Sequence, residues 1–231
     1  MESWKHLVKK GEIEELSLAE QDIMFGELFL KYLNLNRDLC FGNKLLEKDQ
    51  QDFDLSCEFK EEFRKHCIVL RLKKGALMNL YKKKECIHIV TVKGLIAART
   101  QYRKIDDVPF FMGESNSLMC EEEFFMFIKS DLDIVALEDS DCIFINMQEV
   151  DLLKKKYHEV MMILVKAARL SMIKLHKRKE LWRLSAEEKY NRMYTENPTF
   201  TSRLPATELA MHLGLDEYDI WAIRNVVRSW N

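Results

Sequence analysis

The chain has 231 residues, with 36 Lys and Arg against 38 Asp and Glu, for a net charge of −2. A balance this close to neutral excludes attraction to nucleic acid over the whole surface, so any basic footprint has to be local. Three prolines and seven glycines leave no long flexible linker, and no apolar run reaches the roughly 20 residues that would span a bilayer.

At the N-terminus Glu12, Glu14 and Glu15 interrupt the chain before the apolar core of a signal peptide can develop, so a cytoplasmic location is expected. Ile13, Leu16, Ile23, Met24, Leu28 and Leu33 recur near helical spacing, and residues 1–65 read as a helical segment that closes at Lys60–Lys65. A different texture follows. Cys67–Leu72, Ile87–Val92, Leu95–Ala98, Phe124–Ile128, Asp133–Leu137 and Cys142–Ile145 are short, β-branched or aromatic runs. Turns such as Lys73-Lys74-Gly75 and Lys93-Gly94 separate several of them. Regularly spaced strands of this kind predict a compact antiparallel barrel or roll, rather than a parallel sheet, over residues 66–147.

Six cysteines are spread along the chain with no C-x-x-C pair. Metal and cluster sites gather ligands at short spacing, so no metal and no cofactor is expected here. The histidines are equally dispersed.

From Val150 to Leu184 there is neither Gly nor Pro. Tyr157, Met161, Leu164, Ala168, Ser171, Leu175 and Trp182 form a stripe in steps of four and three. The register through Val165 and Met172 fits nearly as well, so two seams stay open. A helix about 40 Å long exceeds the usual helix of a globular domain. Residues 148–184 therefore read as a dimerisation helix, with a homodimer formed through Tyr157–Trp182. The small side chains of Ala167, Ala168 and Ser171 would let two copies approach closely.

Residues 185–231 read as a helix-turn-helix domain. Ser185-Ala186-Glu187-Glu188 is a capping-box signature, in which the Ser hydroxyl and the Glu carboxylate satisfy each other's backbone donors. Beyond Asn197-Pro198, the stretch Ala206–Leu215 and on to Ile220 and Ile223 has the spacing of two short helices across a tight turn. Leu209, Leu213, Leu215, Ile220 and Ile223 supply apolar contacts, Ala210 the small position and Gly214 the turn. Pro205 stands where a helix can begin.

The order of these parts resembles the Crp/Fnr family of bacterial transcription regulators. Leu184–Tyr190, Glu196-Asn197-Pro198, Arg203-Leu204-Pro205 and Leu209-Ala210 through Leu213-Gly214-Leu215 carry the resemblance, and they are most similar to a Bacteroidetes-type branch. Lys73-Lys74-Gly75, Val92–Leu95 and Ile134–Ser140 are similar to the family's sensor domain. The resemblance covers residues 65 to 231 and implies an α+β fold: an antiparallel β-roll as a cupin-like sensor domain over 66–147, a long dimerisation helix and a C-terminal helix-turn-helix.

The resemblance also implies sites, and here the sequence departs from the pattern. Cyclic-nucleotide binders of the family pair a Gly-Glu with a downstream Arg that neutralises the cyclic phosphate. Gly113-Glu114 stand for the first pair. Where the Arg belongs there are Lys129, Ser130, Asp131 and Asp133, so Gly113, Glu114 and Lys129 are the candidate ligand residues and cyclic AMP is not expected to bind. The effector, if there is one, is left unidentified.

At the start of the second helix and one turn on, Asp216, Glu217, Tyr218, Trp221 and Ala222 hold the groove-facing positions, where Arg or Lys usually reads guanine. The family commonly has a Ser-Arg pair where Trp221-Ala222 stand. Thr207, Glu217, Tyr218, Trp221, Arg224 and Arg228 are the expected DNA contacts. From Thr195 onward three arginines face five carboxylates. A basic group at Lys174, Lys177, Arg178, Lys179 and Arg183 lies just upstream.

These observations predict a homodimeric DNA-binding transcription regulator. The alternative is a regulator-derived protein-interaction module that has lost DNA binding and uses Tyr218 and Trp221 for a protein partner. No nucleophile–base motif, phosphate loop or metal spacing points to an enzyme.

Overall fold

The apolar runs of the middle third pair into two antiparallel sheets. The computed structural model describes residues 13–26, 28, 55–79, 87–100, 110–113, 116–118, 132–196 and 198–228. The strands are β1 (Ile13–Glu15), β2 (Cys67–Leu72), β3 (Leu77–Asn79), β4 (Ile87–Lys93), β5 (Leu95–Thr100), β6 (Phe110–Gly113), β7 (Asn116–Leu118), β8 (Leu132–Ala136) and β9 (Ser140–Asn146). Among the described residues, one sheet has the order β1-β2-β9-β4-β7 and the other β3-β8-β5-β6. This is the mixed helix and antiparallel-sheet class expected from the sequence. The run Phe124–Ile128 lies outside the described residues.

Strand alternation sorts side chains into two cores. Leu70 and Leu72 of β2, Ile89 of β4, Ile96 of β5, Ile134 of β8, and Cys142 and Phe144 of β9 fill the space between the sheets. The other faces of β2, β4 and β9 present Val69, Val90, Val92, Ile143 and Ile145 to a second cluster built with helices. Burial raises the thiols of Cys67 and Cys142, the latter to about 12, so neither is a thiolate at neutral pH.

The N-terminal segment departs from the helical expectation at its start. Ile13–Glu15 form β1, pairing antiparallel with β2 from Ile13↔Leu72 to Glu15↔Leu70. This short strand takes up the ladder groups that β2 would otherwise leave open at an edge. A helix begins only after Ser17, whose hydroxyl accepts from the Glu20 amide at 3.3 Å while the Glu20 carboxylate accepts from the Ser17 amide at 2.9 Å. That helix, α1 (residues 18–26), buries Met24 and Phe25, and α2 (Cys57–His66) buries Phe59 and Phe63 in the same cluster.

The stretch read as one helix from residue 148 is two. Helix α3 (Met147–Lys156) ends at Tyr157, which is extended at φ −127° and ψ 119°, and α4 (His158–Trp182) begins beyond it. The break has a tertiary cause. The Tyr157 ring packs edge-on against Phe59 at 5.6 Å, and its hydroxyl donates to Glu58 Oε1 at 3.1 Å. Helix α4 then buries Val160, Ile163 and Leu164 in the cluster that also holds the buried residues of α1 and α2, while Met161, Met162 and Val165 remain exposed. In its first turns Tyr157 and Leu164 of the first stripe pack inward, whereas Met161 of the same stripe is exposed together with Val165 of the other register.

The β4–β5 turn depends on a glycine. Gly94 has φ +94°, and a β-carbon there would lie 2.6 Å from the Asp139 carbonyl oxygen and closer still to the Ser140 hydroxyl. That hydroxyl accepts from the Leu95 amide at 3.0 Å, so it is not free to retreat. Gly94→Ala is expected to cost about 1–3 kcal/mol of stability. A thermal or urea melt of the full chain that matches the parent would refute this account of the turn.

Candidate nucleic-acid interface

The C-terminal helices are α5 (Ala186–Glu196), α6 (Pro198–Arg203), α7 (Ala206–Leu213) and α8 (Glu217–Arg228). The Ser185 capping box forms as its spacing requires. The Glu188 carboxylate accepts from the Ser185 amide at 2.9 Å and from its hydroxyl at 2.8 Å, while the Glu188 amide donates to that hydroxyl at 3.4 Å. These bonds hold Glu188 below the usual carboxylate range.

Between α7 and α8 the chain reverses at Gly214, in the left-handed region at φ 60° and ψ 46°. The Leu215 amide donates to the Ala210 carbonyl at 2.9 Å, closing the end of α7. Leu209, Leu213 and Ile220 are fully buried across the turn, with Leu215 and Ile223 partly buried beside them. The contacts that the apolar spacing asked for are present, and the unit is a helix-turn-helix.

The outward face of this unit is aromatic and acidic. Tyr218 is 81% exposed and Trp221 48%, and the Trp221 indole donates to Glu217 Oε1 at 3.1 Å. Thr207 is exposed near the start of α7. Glu217 and Asp219 stand in the first turn of α8, where the helix dipole favours negative charge. Their position thus has a structural reason independent of any ligand.

Arg224 turns inward. Its Nη2 donates to the carbonyls of Thr201 and Leu204, both at 3.0 Å, so it ties α8 to the end of α6. The Arg228 side chain lies outside the described residues, as do Glu114, Lys129 and the side chains of Lys174 and Arg178. Gly113 ends β6, opposite Leu95 of β5. Lys177, Lys179 and Arg183 are exposed along the last turns of α4 and just after it. Among the described residues, no group of three or more His, Cys, Asp or Glu is placed to hold a metal ion.

One contact between the roll and the C-terminal helices has no signal in sequence spacing. Arg203, at the end of α6, clasps Glu138 in the turn between β8 and β9, with Nε to Oε1 at 3.0 Å and Nη2 to Oε2 as the second contact. The guanidinium pulls the Glu138 carboxyl below its ordinary range against the opposing effect of partial burial. Next to this pair, Leu95 and Ala97 of β5 lie in one buried cluster with Leu204, Leu209, Leu213 and Ile220. The helix-turn-helix therefore sits on the roll, and separation would return Leu95 to water at a cost of about 1.5–3 kcal/mol.

No family model matches the chain, and no curated protein matches it. Solved structures do. FixK2 from Bradyrhizobium japonicum superposes with a TM-score of 0.60 at 11% identity, covering 71% of this chain and 85% of that one. A protein from Eubacterium rectale described as a transcriptional regulator of the Crp/Fnr family gives 0.58 at 13%, covering 80% and 86%. The c-di-GMP-responsive global regulator CLP of Xanthomonas campestris gives 0.53 at 12%, covering 75% and 92%. The chain has the fold of Crp/Fnr regulators. At these identities the likeness is one of architecture, and the site residues have to stand on their own geometry.

Replacing Arg224 by Ala removes charged donors from two carbonyls at the end of α6. The expected loss is about 1.5–3 kcal/mol, the range for bonds made by a charged group. The measurement is a denaturation curve of the full chain, and an unchanged midpoint would show that Arg224 does not hold α8 in place.

Proposed function

We propose that this chain is a homodimeric transcription regulator that binds DNA through α7 and α8, in a Bacteroidetes-type branch of the Crp/Fnr regulators. The observation that carries the reading is the reversal at Gly214, which leaves an exposed α8 face at the end of a roll-and-long-helix chain. In this reading Thr207, Glu217, Tyr218 and Trp221 meet the groove, and Arg228 meets phosphate. A guanidinium carries five donors, so Arg224 keeps capacity for a phosphate beside its two carbonyl bonds. The sensor unit spans residues 66–147, the dimerisation helix 148–184 and the DNA-binding domain 185–231, with 1–65 as an N-terminal addition. The Met161, Met162 and Val165 face of α4 supports pairing with a second copy. No described helix is long and apolar enough to cross a membrane, in keeping with a cytoplasmic regulator.

A two-fold dimer reading successive major grooves places its recognition helices about 34–36 Å apart. Glu217 accepts from a cytosine amino group and Tyr218 packs on a thymine methyl, so sequence preference is compatible with an acidic helix. Affinity has to come from cations outside the groove, and log affinity should fall with log salt by about 0.9 per phosphate engaged. Arg228→Ala should flatten that slope by about one unit, and Glu217→Ala should tighten non-specific binding. Sedimentation at micromolar concentration and mobility shifts at several salt concentrations are the measurements. A monomer, or no DNA retained even at low salt, overturns the reading.

Cyclic AMP is not the effector in this proposal. Where the family's pattern puts its Arg, the sequence has Lys129, Asp131 and Asp133 and no forked donor, so a cyclic phosphate lacks a contact worth about one to two decades of affinity. Calorimetric titration should show no low-micromolar binding, and a low-micromolar isotherm would show that the pocket is built from other groups.

A further inference from the structure

Strand β5 turns Ile96 into the roll and presents Leu95 and Ala97 on its outer face. Apolar residues on the outside of a sheet need a cover, and the helix-turn-helix supplies it. The turn that carries Glu138 is tied to the same strand. The amides of Leu137 and Glu138 both donate to the Leu95 carbonyl, at 2.8 and 3.4 Å. Any displacement of β5 against β8 therefore moves Glu138 as well.

Arg203 is the other half of the contact. It is two residues before Pro205, the N-cap of α7, and four before the exposed Thr207. In a helix-turn-helix the first helix crosses the DNA backbone, so a guanidinium at its start is placed to meet a phosphate. Carboxylate and phosphate present the same forked acceptor geometry to Arg. The side chains of Arg203 and Glu138 keep 25% and 33% exposure, so the pair is at a rim that an incoming anion can reach. Lys74 lies near enough to act on the Glu138 carboxylate and would keep it company after a switch of partner.

We propose that Glu138 competes with DNA phosphate for Arg203, so that the docked roll lowers DNA affinity and a shift of the β8–β9 turn raises it. The contact is autoinhibitory, and it couples the roll to the DNA-binding unit through one exchangeable cation. Reciprocity follows, because DNA that takes Arg203 loosens the roll from the helix-turn-helix by the same factor. This rests on the DNA-binding reading above.

The test uses the full chain and a labelled duplex of mixed sequence, titrated at several salt concentrations. Glu138→Gln keeps the shape of the side chain and removes its charge. It should tighten binding severalfold and steepen the salt slope by about 0.9, the share of one added phosphate contact. In an Arg203→Gln background the same change should do neither, and melting curves of all four proteins establish that each is folded. If the parent binds and Glu138→Gln leaves both affinity and slope unchanged, the competition is refuted while the DNA reading stands. Equal tightening with and without Arg203 also refutes it, since that is the effect of removing any negative charge. If the parent binds only at the lowest salt and Glu138→Gln still binds at higher salt, the latch is supported in its strongest form. If neither binds at low salt, the DNA reading has failed and takes the competition with it.

Discussion

Strand β9 is the element on which the other parts depend. Six of its seven residues are buried, and it hydrogen-bonds to β2 on one side and β4 on the other. Cys142 and Phe144 close the interior of the roll, and Ile143 and Ile145 form the floor on which the helices pack. A strand buried on both faces reads as an unbroken apolar run, which is how Cys142–Ile145 stands in the sequence. The chain leaves β9 directly into α3, with Asn146 capping the helix through its side chain at 2.7 Å from the Gln148 amide. The direction of α3 is set there, and that of the long helix α4 at the extended Tyr157 that follows it.

The same strand begins beside the second constraint. Ser140 starts β9; its hydroxyl accepts from the Leu95 amide at 3.0 Å and has its one proton between the Glu138 carbonyl at 2.8 Å and the Leu95 carbonyl at 3.2 Å. One buried side chain thus joins the β4–β5 turn to the β8–β9 turn. Gly94 is required because nothing larger fits over that hydroxyl, and Glu138 is held where Arg203 can reach it. The core of the roll and the seat of the helix-turn-helix are consequences of a single packed corner.

What was legible in the sequence was local. The Ser185 box, the Gly214 reversal and the strand runs each depend on residues within a few positions, so spacing alone defines them. Ser17–Glu20 has the same box spacing as Ser185–Glu188 and was open to the same reading. The misses are long-range. Nothing near Ile13 says that a free strand edge will take it, and nothing near Tyr157 says that Phe59, almost a hundred residues earlier, will interrupt the helix there. Arg203 and Arg224 look alike as candidate phosphate contacts. One reaches across to the roll and the other back to α6, and only the folded chain separates them.

Electrostatics makes that separation matter. Asp216, Glu217 and Asp219 stabilise the start of α8 through the helix dipole, but a duplex meets the same charges as repulsion. For a regulator of the proposed kind, phosphate binding then rests on few cations, among them Lys177, Lys179 and Arg183 at the end of α4 and Arg203 at the start of the DNA-binding helices. Where cations are few, occupying one of them changes a larger share of the attraction. In the proposed regulator an acidic α8 and a carboxylate latch on Arg203 would therefore be complementary: the first would keep basal attraction low, and the second would let a small movement of one turn in the roll have a measurable effect on it.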